Sequence, residues 1–262
     1  MTAHWIDAEY YGDVFDFHGR PAWSLTHSKT GRGRGGFSNS MAEAEEQLGL
    51  AHEVDRYRSF FIALEGAEGV GKSTLLESLI KAFDPLTLFA TAEPNPLSVG
   101  YDFIRKYLKG ENNCSSFTMA LAYALNRADH VRNHVSPFLT TPRKLVITDR
   151  YVLSSLVYQG GEEVSSNEIL ELNREAPVPD LTLLLLANTD TLVERLRARN
   201  GEKEIFDDRI AYLGERYIEC ADFLESRGYV FQTLDANQPA THVYREALFY
   251  ISRHAPLWLP VP

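Results

Sequence analysis

The sequence predicts an α/β fold, a doubly wound parallel sheet of five strands with flanking helices. Three observations carry this. From Ser59 onward, short apolar runs alternate with longer segments of helical period. The run "LTLLLLA" is continuously apolar, which suits a strand buried on both faces. The run "FFIAL" leads through a glycine-rich turn directly into a helix pattern.

In chain order, the strand candidates are "FFIAL", "LTLFAT", "KLVITD", "LTLLLLA" and "YVFQTLDA". Between them lie the helix candidates "KSTLLESLIKAF", "SVGYDFIRKYLKG", one long "SSFTMALAYALNRADHVRNHVSPFL", "YVLSSLVYQ", "SSNEILELNREA", "NTDTLVERLRAR" and "DRIAYLGERYIECADFLESRG". "THVYREALFYISRH" closes the series. Such a sheet binds ligands at the carboxyl ends of its strands. Residues 1–57 read differently from residues 58–262. The first thirty are aromatic-rich without a sustained period, and Gly31 to Ser40, "GRGRGGFSNS", reads as a flexible linker. "MAEAEEQLGLAHEVDRY" follows as a short helix. The expectation is a flexible N-terminal extension, with its Trp and Tyr residues available for docking and Met41 as an alternative start.

The chain has 262 residues, 44% hydrophobic, and a formal net charge of −10. That balance disfavours a general nucleic-acid or anionic-membrane binder but leaves room for a small anion held by a few converging cations. Cys114 and Cys220 have no metal-ligand spacing and read as two reduced thiols of a cytoplasmic protein. No run reaches membrane-span length.

Gly66-Ala67-Glu68-Gly69-Val70-Gly71-Lys72-Ser73 matches GxxxxGK[ST] between a strand and a helix. Around Gly66, Ala67, Gly69, Val70 and Gly71, backbone N–H groups can surround the phosphates of ATP, and Thr74 continues the helix N-terminus. Lys72 reaches the terminal phosphates. Ser73 can bind Mg²⁺, with Asp149 able to act through water. Glu68 would repel phosphate, so it is expected to face a second substrate and accept a sugar hydroxyl.

Three downstream segments supply that second site. Glu93 in "TAEPNP" follows the second strand. Tyr123 and Arg127 stand at i and i+4 on one helix face, a base-stacking and edge-reading pair. Asp149 and Arg150 in "ITDRYVLSSLVYQG" end the third strand beside the phosphate loop.

Together "FIALEGAEGVGKST", "TAEP", "YALNRADHV" and "ITDRYVLSSLVYQG" resemble the thymidylate kinase family of P-loop nucleoside monophosphate kinases, over about Ser59 to His254. The resemblance implies strand order 2-3-1-4-5, a homodimer, and transfer of the ATP γ-phosphoryl group to dTMP. It implies that Glu68 contacts the 3′-hydroxyl, Tyr123 stacks on the base, Arg127 meets its edge and Arg150 holds the acceptor phosphate. Ser155, Tyr158 and Gln159 would line the deoxynucleoside pocket, and a lid at about 197–208 would bring Arg197, Arg199 and Lys203 over the phosphates. The chain departs from the family pattern at Ala92, Leu153 and Ile205. Two other readings stand beside this one: a deoxynucleoside kinase using Glu93 as a base on a 5′-hydroxyl, and a nucleotide-binding protein without catalysis.

Overall fold

The computed structural model describes residues 4–200 and 207–262, with side chains described for 6–198 and 212–262. Arg199 and Lys203, and most of the expected lid, therefore lie outside the described side chains, as does Ile205.

The main sheet has five parallel strands: β5 (Phe60–Glu65), β6 (Leu88–Ala92), β7 (Leu145–Asp149), β8 (Leu181–Leu186) and β9 (Phe231–Asp235). Their order is β6-β7-β5-β8-β9, the expected 2-3-1-4-5 when counted from β5. Every residue of β5 is buried, which is why its sequence is apolar without alternation from Phe60 to Leu64. Leu64 of β5 stands opposite Asp149 of β7 and Leu183 of β8, so the carboxyl ends of the central strands finish side by side. One large core joins β5, β7 and β8 to the helices α2 (Lys72–Ala82) and α10 (Ala240–His254) through Leu64, Leu75, Leu79, Leu183, Ala247 and Ile251.

The predicted long helix is broken in three. It runs as α4 (Ser116–His130), a π-helical turn (Val131–Val135) and the short α5 (Ser136–Leu139). Pro137 sits in the first turn of α5. A proline inside an α-helix removes one hydrogen bond and clashes with the turn before it, and the wider π turn absorbs both.

The largest departure from expectation is N-terminal. Residues predicted as flexible form an antiparallel sheet, β1 (His4–Trp5), β2 (Tyr10–Phe17), β3 (Arg20–His27) and β4 (Gly33–Phe37), in that order. Three of the four glycines read as a linker, Gly33, Gly35 and Gly36, are strand residues. A Cβ on Gly35 would lie 2.4 Å from the Trp23 carbonyl oxygen, and one on Gly36 would lie 2.9 Å from the Trp23 indole nitrogen. β4 therefore pairs closely with β3 because these positions lack side chains.

Helix α1 (Met41–Tyr57) covers one face of this sheet, with Ser40 capping Glu43 N–H. Tyr10 donates to Asp55 at 2.9 Å, and the Trp23 indole donates to Gln47 at 3.0 Å. The small core of Tyr10 and Leu25 also includes Leu257 from the C-terminal tail. Arg32 donates to the carbonyls of Pro256 and Leu259 at 2.9 Å, and Arg143 pairs with Glu9 at 2.5 Å. The N-terminal sheet is thus packed onto the end of the main fold.

Candidate active site

The glycine loop between β5 and α2 needs its glycines for two different reasons. Gly66 has φ +139°, and a Cβ there would meet the Leu185 carbonyl at 2.4 Å. Gly71 has φ +110° and opens α2, a left-handed geometry that side chains resist. Ala67 and Val70 turn their side chains into the main core. The loop is therefore anchored from below while its backbone lies over the N-terminus of α2.

Lys72 folds back across this loop, its ammonium donating to the carbonyls of Gly66 at 2.9 Å and Ala67 at 3.0 Å. Burial lowers its pKa to about 8; the Arg150 cation acts in the same direction, and Asp149, Glu65 and Glu68 oppose it. Ser73 Oγ lies 3.4 Å from Asp149 Oδ2. Asp149 Oδ1 is buried without a hydrogen-bond partner among the described residues. A hydroxyl and an unsatisfied carboxylate oxygen at a phosphate loop make a hard-oxygen donor set that fits Mg²⁺.

Arg150 follows directly from β7 with φ +70°, and its N–H donates to Leu64 O at 2.9 Å. Its guanidinium reaches the Gly66 carbonyl at 3.4 Å and the hydroxyls of Ser154 and Tyr217 at 3.2 Å each. The Tyr158 ring lies 5.3 Å from it. Behind it sits Glu65, fully buried at the end of β5, accepting from Tyr151 N–H at 2.8 Å and from Ser154 N–H and Oγ at 3.0 and 2.6 Å. Burial raises the Glu65 pKa, and the Ser154 hydrogen bonds and Arg150 oppose that rise. Glu65 therefore fixes the turn that carries Arg150.

A second polar cluster lies under the far end of the cleft. Arg127 is buried and donates to Glu93 at 2.5 Å, to Ser155 Oγ at 3.0 Å, to Asn173 at 2.5 Å and to Tyr151 O at 3.0 Å. His130 Nδ1 meets the other Glu93 oxygen at 3.0 Å, and its Nε2 meets Thr91 Oγ1 at 2.8 Å. Asn95 Nδ2 donates to the same Thr91 oxygen at 3.2 Å. Facing a carboxylate oxygen, His130 Nδ1 is the donor to Glu93, and Thr91 Oγ1 bridges His130 Nε2 and the Asn95 amide. Asn126 closes the loop on α4, accepting from Asn95 N–H at 2.7 Å and donating to Asn95 O at 3.0 Å. The "TAEPNP" segment is thus locked to α4 through Thr91, Glu93 and Asn95, while Ala92 points to solvent.

These pieces open on one cleft of about 660 Å³. Of the residues predicted from sequence, Glu68, Gly69, Gly71, Lys72, Ser73, Thr74, Glu93, Tyr123, Arg127, Asp149, Arg150, Ser155, Tyr158 and Gln159 line it. Gly66, Ala67 and Val70 shape the loop beneath it. Arg197 does not line it and is exposed on α8 (Thr189–Asn200). Arg195 lines it instead, donating to Val70 O at 3.1 Å and Ala236 O at 2.8 Å. The helical period carries the signal: Arg195 is three residues after buried Leu192, whereas Arg197 is five after it. Arg105 of α3 (Tyr101–Leu108) also lines the cleft and was not singled out from sequence. Tyr217 comes from α9 (Asp207–Glu225), more than sixty residues downstream, and nothing local in the sequence points to it. Leu153 belongs to the apolar core, so the departure at that position fills the interior.

The thymidylate kinase family model matches residues 64–247. A probable thymidylate kinase of Pyrobaculum calidifontis is 31% identical over 193 residues, covering 74% of this chain and 96% of that protein. The thymidylate kinase of Leuconostoc citreum is 34% identical over 202 residues, covering 71% of this chain and 91% of that protein. A solved thymidylate kinase from Candida albicans superposes with a TM-score of 0.61 at 20% identity, over 76% of this chain and 92% of that one, a likeness of fold. With its strand order, phosphate loop and matched length taken together, the chain belongs to the thymidylate kinase family.

Proposed function

We propose that this phosphotransferase moves the γ-phosphoryl group of ATP to dTMP, giving dTDP and ADP. The observation that carries the reading is the single cleft in which Lys72 and Arg150 stand at the phosphate loop while Tyr123, Ser155 and Gln159 line the same space. The acceptor's phosphate oxygen is already anionic near neutral pH, since a phosphate monoester's second pKa is about 6. No general base is needed, and positioning with charge stabilisation dominates. Lys72 would leave the loop carbonyls for the transferring phosphates. Arg150 would hold the acceptor phosphate against the donor. Glu68 would take the sugar hydroxyl, Tyr123 would stack on the base, and Tyr158 would crowd a 2′-hydroxyl. Ser73, with Asp149 through water, would hold Mg²⁺, which would supply charge neutralisation at the phosphates. Arg199 and Lys203 are proposed to close over the site.

Arg127 is assigned a supporting share in base recognition, because most of its N–H groups already meet protein oxygens. Glu93 is engaged on both oxygens by Arg127 and His130, which argues against a base acting on a 5′-hydroxyl. An ADP-release assay with dTMP, dUMP, thymidine, deoxycytidine, dCMP and UMP tests the reading. Turnover selective for dTMP is expected; turnover on thymidine but not dTMP would overturn it.

The lowered Lys72 pKa gives a second expectation. A group poised near 8 regains its proton when a polyanion binds, so ATP affinity should fall as pH rises through that value. At pH 8, MgATP binding should take up part of a proton, seen by calorimetry as an enthalpy that changes with buffer ionisation heat. At pH 6.5 this contribution should vanish.

The proposed assembly is a homodimer. Phe117, Leu121 and Leu125 recur at four-residue spacing on α4 and are 45%, 43% and 51% exposed. Such a stripe suits a second copy of the chain. Leu121→Glu should shift the mass measured by light scattering from dimer toward monomer; an unchanged dimer would place the interface elsewhere. Among the described residues no helix is long and apolar enough to cross a membrane. A cytoplasmic location remains part of the proposal.

A further inference from the structure

A second cleft, of about 760 Å³, lies between the β3–β4 turn and the C-terminal end of α10. Lys29, Arg32, Arg34, Arg58, Arg253 and His254 line it, and no described carboxylate does. This happens in a chain whose formal net charge is −10. Like charges gather only where something offsets their repulsion.

The walls supply part of that offset. Arg32 directs its guanidinium to the carbonyls of Ser252, Ala255, Pro256 and Leu259 and so closes the end of α10. Arg34 gives one terminal nitrogen to Asp55 at 2.5 Å, and Arg58 gives one to Asp180 at 2.6 Å. Lys29 pairs with Glu9 at 2.8 Å. Two groups have no such partner among the described residues. The Arg253 guanidinium meets only the Phe249 ring, at 5.9 Å, and His254 has no hydrogen-bond partner. Burial lowers the His254 pKa, and the cations Arg253 and Arg58 lower it further. The lining thus carries more positive charge than its own walls neutralise.

We infer that this cleft binds a multiply charged, phosphate-bearing anion, with Arg253, His254 and the remaining N–H groups of Arg34 and Arg58 as its donors. Guanidinium forks match phosphate oxygens in geometry and charge. Apart from His254, no aromatic side chain among the described residues lines the cleft, so the phosphates are read and no base is stacked. Inorganic tripolyphosphate and the triphosphate of a nucleotide share this chemistry. The site joins the N-terminal sheet to the end of α10, and all of its lining positions lie outside residues 64–247 of the family match.

The test is calorimetric titration of the full chain with tripolyphosphate at low salt, the active site held by saturating ADP and dTMP. One binding event per chain is expected, weakened by added salt. Arg253→Glu should weaken it about tenfold or more, with kcat and the melting midpoint close to those of the parent. His254→Gln, which removes a donor without reversing a charge, should weaken it less. Equal affinity for dTTP and tripolyphosphate is expected, because the phosphates are the whole determinant; clearly tighter dTTP binding would show that the nucleoside is read as well and would overturn the phosphate-only reading. No event beyond the active site, an unchanged affinity in Arg253→Glu, or binding of a single-stranded oligonucleotide in place of tripolyphosphate would overturn the inference.

Discussion

Arg150→Ala is expected to lower kcat/KM for dTMP roughly 100- to 1000-fold, about 3–4 kcal/mol of transition-state stabilisation. Arg150 is the cation that projects between the phosphate loop and the acceptor side of the cleft, aimed by Ser154 and Tyr217 and carried on a turn fixed by Glu65. ATP affinity should hold, because removing this neighbour relieves the repulsion that helps depress the Lys72 pKa. Arg150→Lys should recover only part of the loss, since an ammonium lacks the planar fork. Ser155→Ala, which removes one hydroxyl accepting from Arg127, should cost far less. Equal small losses in Arg150→Ala and Ser155→Ala would remove Arg150 from the acceptor phosphate.

Glu93→Ala is expected to be the most destabilising single change at the site, by about 3–5 kcal/mol. It leaves the Arg127 guanidinium buried with no counter-charge and takes the acceptor away from His130 Nδ1. The melting midpoint should fall by roughly 10 °C for a domain of this size. The double replacement Glu93→Leu with Arg127→Met should melt closer to the parent than Glu93→Ala does, because no unpaired charge remains. A Glu93→Ala protein with unchanged midpoint, and activity shifted toward nucleosides, would instead revive the reading of Glu93 as a base.

The main sheet was legible because its strands are buried on both faces and its connections are helices with clear periods. "LTLLLLA" and "FFIAL" can hardly be anything but interior strands, and the glycine loop marks the sheet's ligand-binding edge. Lys72, Asp149 and Arg150 were legible for the same reason: each sits at a fixed distance from a strand end. The N-terminal sheet was not. Its outer face carries Phe15, Phe17 and Phe37 and its inner face carries Arg34 and His27, so hydrophobic alternation is blurred. Its fourth strand contains the glycines of Gly33–Phe37, whose role depends on the Trp23 carbonyl and ring of a neighbouring strand. Arg127 illustrates the same limit inside the site. Its helix position was evident, but its hydrogen bonds to Glu93, Ser155 and Asn173 depend on three other segments of the chain.

The most direct test of the central claim follows phosphorus through the reaction. The full chain is incubated with Mg²⁺, ATP and dTMP, and the products are followed by ³¹P NMR. The account predicts that ATP resonances are replaced by those of ADP while the dTMP singlet gives way to the paired resonances of dTDP, one for one. ADP accumulating as inorganic phosphate appears, with the dTMP singlet intact, or ATP and dTMP both left unchanged, would contradict it.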